Sequence, residues 1–248
     1  MKPSKRQNSR SRIPARQRLG VTPWIIGCVA TETRLRACAR NAPANCDWLE
    51  VRLDRVGLCG GQWHDLCAAA QAAGRPVLLT IRAAREGGAW KGTEAKRRAL
   101  LLEGLTSVAA VDLEISTKTS DPVIQAAHAA GVQVVGSFHD FKGTPSLKVL
   151  QALECRGRDR GADVIKIATH VRSAADMARL MALPALAQGP IAVLGMGARG
   201  AISRVALPCA GSCLTYGALD TATAPGQPTC RELAQELVRW GARVSANG

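Results

Sequence analysis

A chain of 248 residues can bury a large core, and it is ordinary for one α/β barrel yet long for two average domains, so length leaves both open. A hydrophobic fraction of 47% and 24 glycines fit a globular α/β protein, and the absence of any apolar run of roughly 18 residues excludes a membrane-spanning helix. The formal charge of +14 invites a nucleic-acid reading, but half of it, on Lys2, Lys5, Arg6, Arg10, Arg12, Arg16 and Arg18, sits within residues 1–20 without a single acid; the remaining +7 is unexceptional.

In chain order, residues 1–20 come first. They are too poor in apolar residues for a secretory leader and carry no amphipathic stripe for a transit peptide. They are expected to form a basic, disordered extension ahead of one catalytic domain, residues 21–248. From residue 24 short β-rich runs alternate with helical stretches. The predicted strands are PWIIGCVA (23–30), DWLEVRLD (47–54), PVLLTIR (76–82), AAVDLEI (109–115), VQVVGSFH (132–139), ADVIKIAT (162–169), PIAVLGM (190–196) and CLTYGAL (213–219). Apolar spacing near 3.6 residues predicts helices in HDLCAAAQAAG, TEAKRRALLLEGL, PSLKVLQALECRG, AADMARLMALPALA and CRELAQELVRW, with GAISRVALP the weakest. Eight such units predict a single-domain (β/α)8 TIM barrel, since a doubly wound open sheet more often stops at about five to seven strands.

The nine cysteines form an odd set with no CxxC pair, so they are read as reduced thiols of a cytoplasmic protein. Cys209 and Cys213 lie four apart, but no His stands at metal-ligand spacing, and neither metal nor cofactor is expected.

Parallel strands covered on both faces should be apolar, and an ionisable residue within one asks for a reason. Here such residues gather toward strand C-terminal ends, where barrel enzymes assemble their sites: Glu50, Arg52 and Asp54, then Arg82, Asp112, Glu114, His139 and Lys166. Spacing of two predicts that Glu50, Arg52 and Asp54 share one face. For Asp54, Asp112 and Glu114 an ion-pair lattice is as good an explanation as function. Lys166, flanked by Ile165 and Ile167, should lose hydration, which favours the neutral amine that attacks carbonyls. His139, ending the preceding strand, is a candidate proton carrier. His170 is its competitor, whereas His64 and His128 fall on predicted helices.

These strings resemble, in order, type I 3-dehydroquinate dehydratases: LEVRLD (49–54), TIRAAREGG (80–88), DLEI (112–115), SFHDF (137–141), IKIA (165–168), GMGARGAISR (195–204) and ATAPGQ (222–227). The resemblance implies a hydro-lyase of the shikimate pathway that makes 3-dehydroshikimate from 3-dehydroquinate. It casts Lys166 as the Schiff-base lysine, His139 as the proton shuttle and Glu86 as the group that orients it. It puts Glu50, Arg52 and Arg82 on the substrate's ring hydroxyls, and Arg204, Thr223 and Gln227 around its carboxylate. It further implies a homodimer. The sequence departs from the pattern at Thr223, where serine is usual, at Cys28, near a first-strand serine, and in the compact loop from Gly87 to Thr93. Two other readings are weighed. A class I aldolase-type barrel would share the lysine, but HDF, EGG and APGQ fit a cyclic polyol acid better. A basic nucleic-acid-binding protein would want stacking platforms, and the chain has one Tyr and two Phe, so no nucleic-acid partner is expected.

Overall fold

The computed structural model describes residues 18–20, 23–117, 121–219 and 227–243. Runs such as WIIGCV and VIKIATH form strands because aliphatic and β-branched residues pack well on the two covered faces of a sheet. The strands are β1 (Trp24–Val29), β2 (Trp48–Arg52), β3 (Val77–Thr80), β4 (Ala110–Glu114), β5 (Gln133–Asp140), β6 (Val164–His170), β7 (Ile191–Met196) and β8 (Leu214–Ala218). They lie in the order β7-β6-β5-β4-β3-β2-β1-β8, and every pairing is parallel. The two ends of the sheet meet where the Cys213 amide donates to the Ile191 carbonyl at 2.8 Å. The expected (β/α)8 barrel is the observed fold, nearly closed.

Helices α1 (Glu32–Arg40), α2 (Leu53–Val56), α3 (Trp63–Ala72), α4 (Glu94–Gly104), α5 (Asp121–Ala130), α6 (Leu147–Asp159), α7 (Ala174–Leu186), α8 (Ser203–Cys209) and α9 (Cys230–Arg239) connect and close the units. Several begin at a side-chain cap. Thr31, Thr93, Ser146 and Ser173 each accept a backbone N–H three residues on, worth about 1 kcal/mol apiece. Thr229 and Glu232 answer one another in a capping box at α9. The weakest helix in sequence, α8, has no side-chain cap and is seven residues long. Among the described residues no helix is long and apolar enough to cross a membrane.

The core has two shells. Outside the barrel, residues such as Leu35, Leu79, Val111, Leu180 and Leu233 pack strands against helices. Inside it, Ile26, Trp48, Leu78, Val135, Val164 and Tyr216 fill the lower part. Because side chains at i and i+2 share a face, the next inward layer carries Cys28 above Ile26, Glu50 above Trp48 and Lys166 above Val164. An apolar floor therefore supports a charged mouth.

Two expectations change. The strand predicted to run to Asp54 stops at Arg52, and Leu53 starts α2, so Asp54 is not a third residue on the strand face. The chain expected to be an extension up to residue 20 already packs at Leu19, which is buried in the inner cluster. Its N–H donates to Gln133 Oε1 at 2.9 Å, and the Arg18 carbonyl accepts from Trp24 Nε1 at 2.9 Å. Residues 1–17 lie outside the described residues, as does Thr223.

Candidate active site

Lys166 is the only buried lysine among the described residues; Lys91, Lys96, Lys142 and Lys148 are exposed. Its Nζ lies 3.3 Å from Glu50 Oε1, 3.4 Å from Asp112 Oδ2 and 4.1 Å from the centre of the Tyr216 ring. The flanking isoleucines pointed to desolvation alone. The two carboxylates at contact distance leave no trace in that flanking sequence.

Those carboxylates belong to a lattice that spans β2 to β5. Glu50 also accepts from Thr80 Oγ1 at 3.0 Å. Burial raises its carboxyl, but Lys166, Arg52 and Arg82 together hold it below its ordinary value. Arg82, just beyond β3, pairs with Asp112 at 2.8 Å and donates to Ser137 Oγ at 2.6 Å, and that hydroxyl donates to Asp112 Oδ1 at 2.6 Å. Burial works against the Arg82 cation, yet Asp112, Glu114, Glu50 and Glu86 outweigh it and raise its pKa. Glu114 accepts from the Ala83 amide, Arg85 and Arg97, and so ties the β3 exit loop to the sheet. The lattice reading of Asp112 and Glu114 is thus part of the answer, and Asp112 also touches the lysine.

Glu86 lies in the turn after β3. Its Oε2 accepts from the His139 backbone N–H at 3.1 Å and lies 3.0 Å from His139 Nδ1, while Oε1 accepts from Ser116 Oγ at 3.0 Å. Two glycines make this turn possible. Gly87 has φ +76, and a Cβ there would meet the Phe141 ring at 2.4 Å; a Cβ on Gly88 would lie 1.9 Å from the Arg82 carbonyl oxygen. Burial pushes the Glu86 carboxyl up to about 7 despite Arg82. Burial and the cations Arg82, Lys166 and Arg52 hold the His139 imidazole well below its ordinary value, hence neutral. In the β5–β6 register Ser137 is opposite Lys166 and His139 opposite Ala168, so the imidazole stands one layer nearer the mouth than the amine. The ring of His170, the competing histidine, lies against Gly197.

Arg52 is gripped by Asp54 through Nε at 3.0 Å and Nη2 at 2.8 Å, and the Ala89 amide donates to Asp54 at 2.9 Å. The aspartate that left the strand thus returns to fix both Arg52 and the loop after Glu86. Across the mouth, Arg204 sits in α8, buried, and donates through Nη1 to the Tyr216 carbonyl at 3.1 Å. No carboxylate among the described residues lies at salt-bridge distance from it, and burial lowers its pKa. Gln227 Nε2 is 3.5 Å from the same carbonyl and 3.6 Å from Cys28 Sγ, and that thiol is 3.7 Å from Glu50 Oε2. Cys28 is therefore part of the site, a thiol that burial pushes up to about 11.

One mouth thus gathers Lys166, His139, Glu86, Glu50, Arg52, Arg82, Arg204 and Gln227 from segments up to 177 positions apart in the chain. Sequence reasoning did not single out Ser137, Ser116 or Tyr216 as site residues. A lone Tyr or Ser in an apolar strand carries no signal of its own, and only the register brings them together.

The arrangement combines a buried amine, a neutral imidazole oriented by a carboxyl group, and a guanidinium with no carboxylate at salt-bridge distance among the described residues. A sugar-acid ketone would find a nucleophile, a proton carrier and a carboxylate anchor in it. Comparison with known proteins agrees. Residues 28–240 match the family model described as Type I 3-dehydroquinase. The chain is 36% identical over 216 residues to the 3-dehydroquinate dehydratase of Methanosarcina barkeri, covering 80% of this chain and 87% of that one. The crystal structure of the 3-dehydroquinate dehydratase from Geobacillus kaustophilus superposes with a TM-score of 0.82 at 27% identity, covering 91% of this chain and 94% of that one. The type I enzyme from Clostridium difficile gives 0.81 at 26%, covering 91% and 95%. With the barrel, the order of the motifs and the matched span in accord, the chain belongs to the type I 3-dehydroquinase family.

Proposed function

We propose that Lys166 forms the Schiff base and His139 moves the protons in the reaction of this family, the dehydration of 3-dehydroquinate to 3-dehydroshikimate in the shikimate pathway. The chain is a hydro-lyase by its family. The observation that carries the assignment of Lys166 is its burial: among the described residues no other lysine lies inside the barrel mouth. Nζ attacks the substrate's ketone carbon, the carbonyl oxygen departs as water, and an iminium remains. The iminium draws electrons from the neighbouring carbon, and neutral His139 takes that carbon's proton. The enamine then collapses, the β C–O bond breaks, and the imidazolium returns its proton to the leaving hydroxyl. Hydrolysis frees Lys166 and the product.

Glu86 holds the His139 ring by Nδ1, which leaves Nε2 to face the substrate. Glu50, Arg52 and Arg82 take the ring hydroxyls, and Arg204, with Thr223 and Gln227, takes the carboxylate. Among the described residues no carboxylate stands at salt-bridge distance from Arg204, which supports its part, since a buried guanidinium gains most from an incoming anion. The same reading takes the enzyme to work in the cytoplasm as a homodimer, independent of nucleic acid. The product is a conjugated enone, so adding 3-dehydroquinate to the enzyme should raise ultraviolet absorbance enzymatically. No rise above the uncatalysed rate would remove the assignment.

A further inference from the structure

Tyr216 is the only tyrosine of the chain. It stands on β8 in register with Ile26 of β1, and its carbonyl is the acceptor shared by Arg204 and Gln227. Its side chain is buried, and the centre of its ring lies 4.1 Å from Lys166 Nζ, well inside the roughly 6 Å over which a ring face attracts a cation. The other cation–ring contact among the described residues, Arg239 over Trp240, lies on the surface at 5.6 Å. Burial pushes ionisation of the Tyr216 phenol well above its ordinary range, so the ring keeps its proton.

The proton count on Lys166 gives this contact a purpose. An ammonium has three N–H donors and can satisfy Glu50 and Asp112 together. When the N–C bond forms and the ketone oxygen leaves as water, the iminium nitrogen keeps one hydrogen and a positive charge. It can then donate to one carboxylate at most. A ring face needs no N–H, because its attraction acts on the charge itself. We propose that Tyr216 is a positioning residue whose ring face holds the charge of the Lys166 iminium when one carboxylate contact is lost. This rests on the reading of Lys166 as the imine-forming lysine.

The test replaces Tyr216 by Phe and then by mono-, di- and trifluorinated Phe, which keep the ring's shape while weakening the negative potential of its face. Single-turnover product formation, KM and thermal unfolding are measured for each, and borohydride adducts are mapped. The Phe variant should stay within about threefold of wild type. The log of the single-turnover rate should then fall stepwise with fluorination, to a loss of about 30-fold, the equivalent of roughly 2 kcal/mol for a desolvated cation–π contact. KM and Tm should move little. A flat series with the adduct on Lys166 overturns the role of the ring and leaves the Schiff-base reading standing. A Phe variant as slow as the trifluorinated one overturns it too, because the hydroxyl would then be the active part. An adduct on another lysine overturns both readings.

Discussion

Arg82, just beyond β3, and Arg204, in α8, are guanidiniums buried at the same barrel mouth, and their surroundings drive them in opposite directions. Arg82 sits among Asp112, Glu114, Glu50 and Glu86, and these raise its pKa in spite of burial. Arg204 has a main-chain carbonyl for a partner, and burial lowers its pKa. The first side of the mouth is electrostatically complete before substrate arrives, and the second is not. A buried cation with no counter-ion among the described residues is costly to the resting fold and is therefore matched to an anion that comes and goes.

The largest effect is expected at Arg82. Arg82→Met strands Asp112 and Glu114 in the barrel, and removing one partner of a buried pair costs about 3–5 kcal/mol, which corresponds to a fall in Tm on the order of 10 °C. Calorimetry or far-ultraviolet circular dichroism would measure it, and an unchanged Tm would mean that the lattice is not supporting the fold. Arg204→Met should do the reverse. Tm should hold, while KM rises roughly 10- to 100-fold, the loss of charge-assisted bonds to a carboxylate. A large drop in stability with unchanged KM would make Arg204 another lattice cation.

Glu86 sharpens the picture because it is the carboxyl for which burial overcomes its cations, giving a value of about 7. Below that value a proton occupies the group that holds His139. Wild-type kcat should therefore fall as pH drops through about 7, and Glu86→Gln should be slower and lack that limb. The stability sign follows from the same shift. The folded protein keeps the Glu86 proton between 4.5 and about 7 after the unfolded chain has lost it, so this contribution declines as pH rises through that window. His139 acts in the other sense: its depressed pKa gives stability that is present above its ordinary 6.5 and is lost as pH falls below it. Tm measured against pH for wild type and Glu86→Gln should agree near pH 4.5 and diverge toward pH 7, with the variant the more stable there, and a constant difference would contradict the Glu86 assignment.

The smallest effect expected is that of removing residues 1–17, after which turnover and Tm should both hold. Carrying the deletion through residue 20 should cost stability, because Leu19 fills the inner cluster and meets Gln133. Equal Tm values for the two truncations would show that Leu19 does not seal the barrel.

Much of this was legible in the sequence. Each of the eight strands lies within two residues of its expected bounds, since a β-rich apolar run between turn signals has few other uses in an α/β chain. Asp54 was misplaced because LEVRLD keeps a period of two beyond the point where the backbone turns, and periodicity cannot see a turn made by Leu53. Leu19 was hidden in a basic stretch with no pattern around it. The pairing of Lys166 with Glu50 crosses 116 positions, and the ring of Tyr216 beneath the amine depends on barrel closure, so neither had a local trace.

The catalysis proposed for this barrel requires a covalent bond to Lys166. Borohydride added with 3-dehydroquinate should inactivate the wild-type enzyme and leave a secondary amine, which peptide mass spectrometry should locate at Lys166. Lys166→Ala should show neither adduct nor turnover. An adduct on an exposed lysine such as Lys91 or Lys142, or a Lys166→Ala variant that still turns over, would contradict the account.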